Sequence, residues 1–330
     1  MGDNKGKRYL FIRVLEACNA DCFMCGFALS RDGYRFGLSD LEALMPAIHA
    51  SDVGFLRFTG GEPLLHKELG AMLELAREHG LKTSIITNGW SLASRAESLE
   101  AAGLDQVVVS IDSCAPDEHD RYRNLDGLFD RALAGIDKCR ELGIKVRVNT
   151  VVGPHNYREM VALGEKLAGV GVTQWELSSL KLDKKIVYDD PDDVVAVGEQ
   201  VFSGAHGLVP MGKRWYGDSE DEQRQYFENG IPPRASAPAC LVTEDVMYLD
   251  AKNSYLFPCS LLPHRSTADL YGAPLGNVDG NPVFDTPAFL ERRQFYRDLG
   301  PKMCTGCSST AAGYSGDRAK GIRAPERRAP

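Results

Sequence analysis

The sequence predicts an α/β fold, a partial (β/α)6 barrel followed by a small, metal-supported C-terminal domain. Three observations carry this expectation. From Tyr9 to Lys181 short apolar runs alternate with longer amphipathic stretches, the pattern of repeated β/α units around a parallel sheet. Past Lys181 that periodicity breaks. From Ala239 onward the chain is punctuated by Cys, Gly and Pro with short β runs such as Val246–Leu249, as in a small domain that leans on metal for stability.

Strands are expected at Tyr9–Leu15, Phe55–Phe58, Thr83–Thr87, Gln106–Ile111, Lys145–Val151 and Gln174–Ser178, each rich in β-branched or aromatic residues. Helices fill the gaps. Ser39, three residues before Glu42, reads as a capping box opening the first helix, and Gly80, Gly103 and Gly143 read as helix terminators. The barrel takes residues 1–182. The acidic run Asp189–Asp193 and the mixed aromatic, charged and proline stretch Lys213–Pro238 fall in a linker and insert, 183–238. The C-terminal domain takes 239–310, and 311–330, with the basic cluster Arg318–Arg328, is a solvated tail.

A chain of 330 residues with 43% apolar content can bury a full core. Its net charge of -8 and pI near 5.5 argue against a nucleic-acid or membrane-surface protein, because counterion release needs concentrated Lys and Arg. No apolar run reaches the roughly 18 residues of a membrane helix, and Met1–Arg8 is too polar and short for a signal peptide. A cytoplasmic protein is expected, in which nine cysteines serve as metal ligands or reactive thiols rather than disulfides.

Cys18, Cys22 and Cys25 directly follow the first strand and so occupy the loop at its C-terminal end, the face on which β/α barrels carry their active sites. Three thiolates in one loop can take three irons of a cubane and leave the fourth open, whereas zinc normally asks for a fourth protein ligand. Soft sulfur sites suit both metals. Gly60, Gly61, Glu62 and Pro63 end the second strand, Thr87, Asn88 and Gly89 the third, Ser110 and Asp112 the fourth, and Asn149 the fifth. Polar groups therefore converge on one rim, and the paired glycines before a carboxylate allow close backbone approach to a ligand amine.

In this motif set the chain resembles the radical S-adenosylmethionine (SAM) superfamily, over at least Tyr9–Lys181. The resemblance implies that Cys18, Cys22 and Cys25 hold a [4Fe-4S] cluster whose open iron is chelated by the SAM amine and carboxylate. It implies that Gly60, Gly61 and Glu62 receive the SAM amino group and that Ser110 and Asn149 face its ribose and carboxylate, with Thr87, Asn88 and Asp112 on the same cofactor rim. The family usually has an aromatic residue before the third cysteine; here Met24 would pack on adenine instead. The implied chemistry is one-electron reduction by a flavodoxin- or ferredoxin-type partner, cleavage of SAM to methionine and a 5'-deoxyadenosyl radical, and abstraction of a substrate hydrogen.

Cys240, Cys259, Cys304 and Cys307 supply four more thiolates, enough for tetrahedral zinc or a fully ligated iron–sulfur cluster. Position alone does not choose. The pattern resembles the twitch domain, a shortened SPASM domain with one auxiliary [4Fe-4S] cluster, which implies two cubanes in all. Cys139 falls in the amphipathic Leu128–Leu142 and reads as a buried inert thiol. Cys114, just past Asp112 on the rim, is a candidate hydrogen donor to a substrate radical, beside the plainer reading of a passive loop thiol.

With eight residues before the first strand, no N-terminal peptide-recognition domain is expected, which favours a small molecule. Twitch-type relatives imply a sugar, cyclitol or nucleoside substrate of an antibiotic pathway, with dehydrogenation or decarboxylation as the outcome. Aminoglycoside epimerisation and maturation of a peptide or protein residue are the alternatives, and a non-catalytic module holding two zincs sits poorly with the rim motifs. Lys213–Tyr216 offers cations and rings for such a substrate, or forms an amphipathic surface segment.

Overall fold

Six strands follow one another along the chain with helices between them, at the expected positions in this computed structural model. They are β1 (Arg8–Leu15), β2 (Val53–Gly60), β3 (Lys82–Thr87), β4 (Gln106–Ser110), β5 (Lys145–Val152) and β6 (Trp175–Ser179). Between them run α1 (Leu38–Ala50), α2 (Leu69–Glu78), α3 (Leu92–Ala101), α4 (Pro116–Arg123), α5 (Leu128–Glu141) and α6 (Met160–Gly169). The structure describes residues 8–27, 30, 32–180, 187–205, 207–211, 242–260 and 272–303. Contacts divide the chain into two compact units, Met1–Val148 with Asp245–Arg293, and Asn149–Glu244 with Gln294–Pro330.

In the first unit β1 pairs in parallel with β2, β2 with β3 and β3 with β4. One face of these strands is apolar: Leu10, Ile12, Leu56, Phe58, Ile85, Val107 and Val109 are all fully buried. Each such side chain contributes about 1.5–3 kcal/mol when removed from water. Helix α2 supplies Leu69, Met72, Leu73 and Ala76 at the one-turn spacing that makes an inward stripe. The opposite face mixes aromatic and polar groups. Phe11, Arg57, Ser84 and Gln106 share one register row, along which Arg57 Nε donates to Ser84 Oγ at 2.8 Å and Nη2 to Gln106 Oε1 at 3.2 Å.

Three expectations are corrected. Ser39 and Glu42 do not cap α1, which begins two residues earlier: Gly37 N–H donates to the Asp40 carboxylate at 2.7 Å and Leu38 N–H to Glu68 at 3.2 Å, so other carboxylates satisfy the first amides. The stretch 183–238, expected as linker and insert, contains α7 (Pro191–Ser203). Its acidic start is a cap, since Asp190 accepts from the amides of Asp192 and Asp193 and the carboxylates of those two residues complement the helix dipole. Gly80, Gly103 and Gly143 do close α2, α3 and α5, with φ of 71°, 93° and 76°.

The third correction concerns β7 (Val246–Asp250), expected within the C-terminal domain. It runs parallel to β1 instead, Tyr9–Ile12 opposite Val246–Leu249, and the sheet continues antiparallel through β8 (Tyr255–Phe257) and β9 (Ala273–Pro274). An uncovered β1 would present unpaired backbone groups, and the buried Met247, Tyr248 and Leu249 need a partner surface. Two buried arginines fasten the addition. Arg13 pairs with Asp250, and Arg8 with Asp285 at 2.7 Å. A short α8 (Val242–Asp245) precedes β7, and the hairpin β10 (Gly276–Val278) and β11 (Asn281–Val283) and helix α9 (Pro287–Met303) follow it.

In the second unit β6 lies beside β5, and Trp175 Nε1 donates to Thr150 Oγ1 at 2.9 Å. Asp193 of α7 accepts from Tyr157 at 2.8 Å and Arg158 at 2.6 Å. Cys240, Cys304, Cys307, Lys213–Tyr216 and the tail 311–330 lie outside the described residues. Among those described, no helix is long and apolar enough to cross a membrane.

Candidate functional site

The chain leaves β1 into the loop that carries Cys18, Cys22 and Cys25. Cys25 N–H donates to the Cys22 carbonyl at 3.0 Å, closing a turn, and two sulfurs already accept backbone amides: Cys18 from Ala20 at 3.5 Å and Cys25 from Phe27 at 3.4 Å. Cys22 is buried, Cys18 half-buried and Cys25 exposed. Burial pushes the Cys18 thiol up to about 11 and raises that of Cys22, the latter against the opposing pull of the Arg123 cation. Among the described residues no three Cys, His, Asp or Glu side chains converge on a point where one ion would be held.

The glycines at the end of β2 shape this loop from beneath. Gly61 N–H donates to the Leu15 carbonyl and Glu62 N–H to that of Ala17, both at 2.9 Å. A Cβ on Gly60, whose φ is 136°, would overlap the Leu15 carbonyl oxygen, and one on Gly61 would overlap those of Glu16 and Ala17. The close approach these glycines permit is thus to the backbone that leads into the cysteines.

Glu62 then ties the ends of β2 and β3 together. Its buried carboxylate accepts from Leu64 N–H at 2.9 Å, Thr87 Oγ1 at 2.6 Å and Asn88 N–H at 2.8 Å. Burial pushes its pKa up while those three donors pull it down. Asn88 reaches back to the cysteine loop, its Nδ2 donating to Asn19 Oδ1 at 2.8 Å.

A second buried network closes the other side. Asp112, wholly buried, accepts from Arg123 Nε at 2.9 Å and pairs with its Nη2 at 2.7 Å, while Arg123 Nη1 lies 3.9 Å from the Cys22 sulfur. Asp112 N–H donates to His119 Nδ1 at 3.1 Å, so that nitrogen is an acceptor. Burial first, and the neighbouring Arg123 second, depress the His119 pKa to about 4, and its Nε2 has no partner among the described residues.

Of the residues singled out from sequence, Cys18, Cys22, Cys25, Gly60, Gly61, Glu62, Thr87, Asn88 and Asp112 come together through these bonds. Ser110 ends β4, 8% exposed. Met24 is half-buried, and the residue before it, Phe23, is an exposed aromatic set edge-on to Tyr122 at 6.2 Å. Cys114 and Cys259 are half-buried thiols, and Cys139 is fully buried in α5 with its thiol raised to about 11. Asn149 belongs to the second unit, where its Oδ1 accepts from Ser178 Oγ at 2.9 Å. Sequence reading passed over Arg123 and His119. Both lie on α4, which no motif marks, and Arg123 is 101 residues from the cysteine it faces.

Residues 12–167 match the family model of the radical SAM superfamily. A GTP 3',8-cyclase of Xanthomonas campestris pv. campestris is 35% identical over 187 residues, 52% of this chain and 54% of that protein. The match thus spans about half the length of such cyclases. An AdoMet-dependent heme synthase of Nitratidesulfovibrio vulgaris is 23% identical over 340 residues, 92% of this chain and 88% of that one. Among solved structures, Streptococcus suis SuiB bound to S-adenosylmethionine has a TM-score of 0.62 at 17% identity, covering 88% of this chain and 68% of the other. At that identity the likeness is one of fold.

Proposed function

We propose that this chain is a radical SAM enzyme, a reading supported by the match of residues 12–167 to that superfamily's model, and that it abstracts hydrogen from a small nucleoside- or sugar-like substrate. The observation that carries this reading is the cysteine loop itself: three thiols within eight residues, held from below by the β2 glycines and from the side by α4. That donor set fits a [4Fe-4S] cluster. A single four-coordinate ion needs its ligands at one point, whereas a cubane takes each thiolate on a different iron.

Cys18, Cys22 and Cys25 would hold the cluster, and the ends of β2, β3 and β4 would hold SAM, with Gly60, Gly61 and Glu62 toward its amine and Ser110 toward its ribose. When bound, the pair supplies an electron and, on cleavage of the sulfonium, a 5'-deoxyadenosyl radical that takes a substrate hydrogen. The chain's own part is positional. Glu62 keeps the β2 and β3 loops in register, and Asn88 holds the cysteine loop against them. Cys240, Cys259, Cys304 and Cys307 would hold an auxiliary cluster. A flavodoxin- or ferredoxin-type reductant and a cytoplasmic setting complete the reading.

Within the substrate class, the nucleoside is favoured by the partial similarity to proteins named for acting on GTP. The test is anaerobic reconstitution, then incubation with SAM, dithionite and GTP, nucleosides, glycosides or cyclitols. Mass spectrometry is expected to find 5'-deoxyadenosine together with a substrate lighter by two hydrogens or by carbon dioxide. A cluster-loaded chain that never yields 5'-deoxyadenosine overturns the activity, and one that acts only on peptides overturns the substrate class.

A further inference from the structure

The end of α4 meets the cysteine loop through its last carbonyls. Asp21 N–H donates to the Arg123 carbonyl at 3.1 Å and Phe23 N–H to that of Tyr122 at 3.4 Å, so the two amides that flank Cys22 are both fixed to this helix. A helix end leaves its final carbonyls without intrahelical donors. Here the loop supplies them. Asn124, in the left-handed conformation just beyond, adds its Nδ2 to Asp21 at 3.3 Å.

The Arg123 side chain turns to the same place. One edge of its guanidinium grips Asp112 through Nε and Nη2, and the remaining Nη1 faces the Cys22 sulfur at 3.9 Å. Arg123 and Cys22 are each 8% exposed and Asp112 is wholly buried, so water screens the arrangement little. A lysine ammonium would suffice to neutralise Asp112. The planar fork can hold a carboxylate with one edge and still present a donor to a second group. By contrast, the hydrogen bonds described to the sulfurs of Cys18 and Cys25 come from backbone amides.

We propose that Arg123 is a positioning residue for Cys22 as a cluster ligand, donating to its sulfur and placing a buried cation beside the cluster, which makes the cluster easier to reduce. The proposal rests on the reading of Cys18, Cys22 and Cys25 as the ligands. Hydrogen bonds to ligand sulfurs and nearby charge are among the factors that set the potential of an iron–sulfur cluster. The direction follows from charge: the reduced form carries one more electron and gains more from the cation. Asp112 moderates that field and keeps the guanidinium in place.

The experiment is an EPR-monitored redox titration of the reconstituted full chain beside Arg123→Gln and Arg123→Lys, with iron counted in each. It follows the cubane whose signal changes when SAM is added, which separates that cubane from an auxiliary one. At the parent midpoint half of this cubane is reduced. In Arg123→Gln the reduced fraction at that potential is expected to fall to about a tenth, roughly a tenfold change in the equilibrium. Arg123→Lys, which keeps a cation for Asp112 but lacks the fork, is expected to fall between the two, and it carries the test if the glutamine variant does not load. Loaded variants with the parent midpoint overturn the proposal. A parent chain that takes up no cubane overturns the ligand reading beneath it.

Discussion

The Glu62 carboxylate accepts the Thr87 hydroxyl at 2.6 Å, a bond that joins the end of β2 to the end of β3. Glu62 also accepts the Asn88 amide, and Asn88 in turn binds Asn19 before Cys22. One buried carboxylate therefore couples the Gly-Gly-Glu-Pro turn, the Thr-Asn-Gly turn and the cysteine loop. A change at any of the three is felt by the others.

Thr87→Val keeps the shape and removes the hydroxyl that Glu62 and the Gly89 amide share. The variant is expected to lose about 1–3 kcal/mol of stability by urea denaturation, the cost of leaving buried partners unsatisfied. The hydroxyl pulls the Glu62 pKa down against the burial that raises it, so it stabilises the ionised form. The loss should therefore be larger at neutral pH than at acid pH, where Glu62 is protonated in both proteins. A pH-independent difference would mean that Glu62 does not change its protonation state over that range.

Gly61→Ala is expected to disturb the entry to the cysteines, because the new methyl would overlap the Ala17 and Glu16 carbonyl oxygens. A cost of about 1–3 kcal/mol for overpacking and a loss of reconstituted iron should appear together. Gly70→Ala is the control. It lies in the first turn of α2 with nothing near its would-be Cβ and should gain about 0.5 kcal/mol with iron unchanged. Equal iron in both variants would detach the glycine from the loop.

His119 predicts how stability responds to acid. Its folded pKa of about 4 lies below the ordinary 6.5, so between those values the unfolded chain binds the proton more readily. The contribution of the neutral imidazole is complete above pH 6.5 and declines as pH falls toward 4, by up to about 3 kcal/mol. Urea midpoints measured from pH 7.5 down to pH 4.5 should show this decline in the parent. His119→Asn, which offers an oxygen where Nδ1 stood, should flatten it. An unchanged slope would assign the acid sensitivity to other groups.

The β/α alternation was legible because strands of a parallel sheet buried on both faces must be continuously rich in β-branched and aromatic residues, as in Gln106–Ser110. Glu62, Thr87 and Ser110 were legible because they lie at or just past the ends of β2, β3 and β4, whereas Asn149, expected at the end of the fifth strand, lies inside β5. The pairing of β7 with β1 was not, since nothing in Val246–Asp250 says which of the strands it will cover. The acidic start of α7 was misread through its charge, although Asp190 followed by Pro191 is a helix opening in itself. The bonds among Glu62, Thr87, Asn88 and Asn19, and the approach of Arg123 to Cys22, join residues 25 to 101 positions apart. They depend on the completed fold.

The thiols themselves give the sharpest separation. Cys22→Ala should remove the SAM-responsive cluster and all 5'-deoxyadenosine formation, because a cubane short of one protein thiolate does not stay assembled. If Cys259 holds the proposed auxiliary cubane, Cys259→Ala should remove that cubane and leave the first, so the two variants each lose about four of about eight irons but differ in whether SAM is cleaved. Cys139→Ala is the reference for a purely structural thiol. That residue is fully buried in α5 away from the rim, and its truncation should cost stability by about 1 kcal/mol with iron intact. About four irons with one zinc in the parent, in place of eight irons, would leave Cys259 outside any cluster. A Cys259→Ala variant that lost both iron and SAM cleavage would instead tie the folding of β1 to the C-terminal metal, through the sheet that β7 and β8 extend.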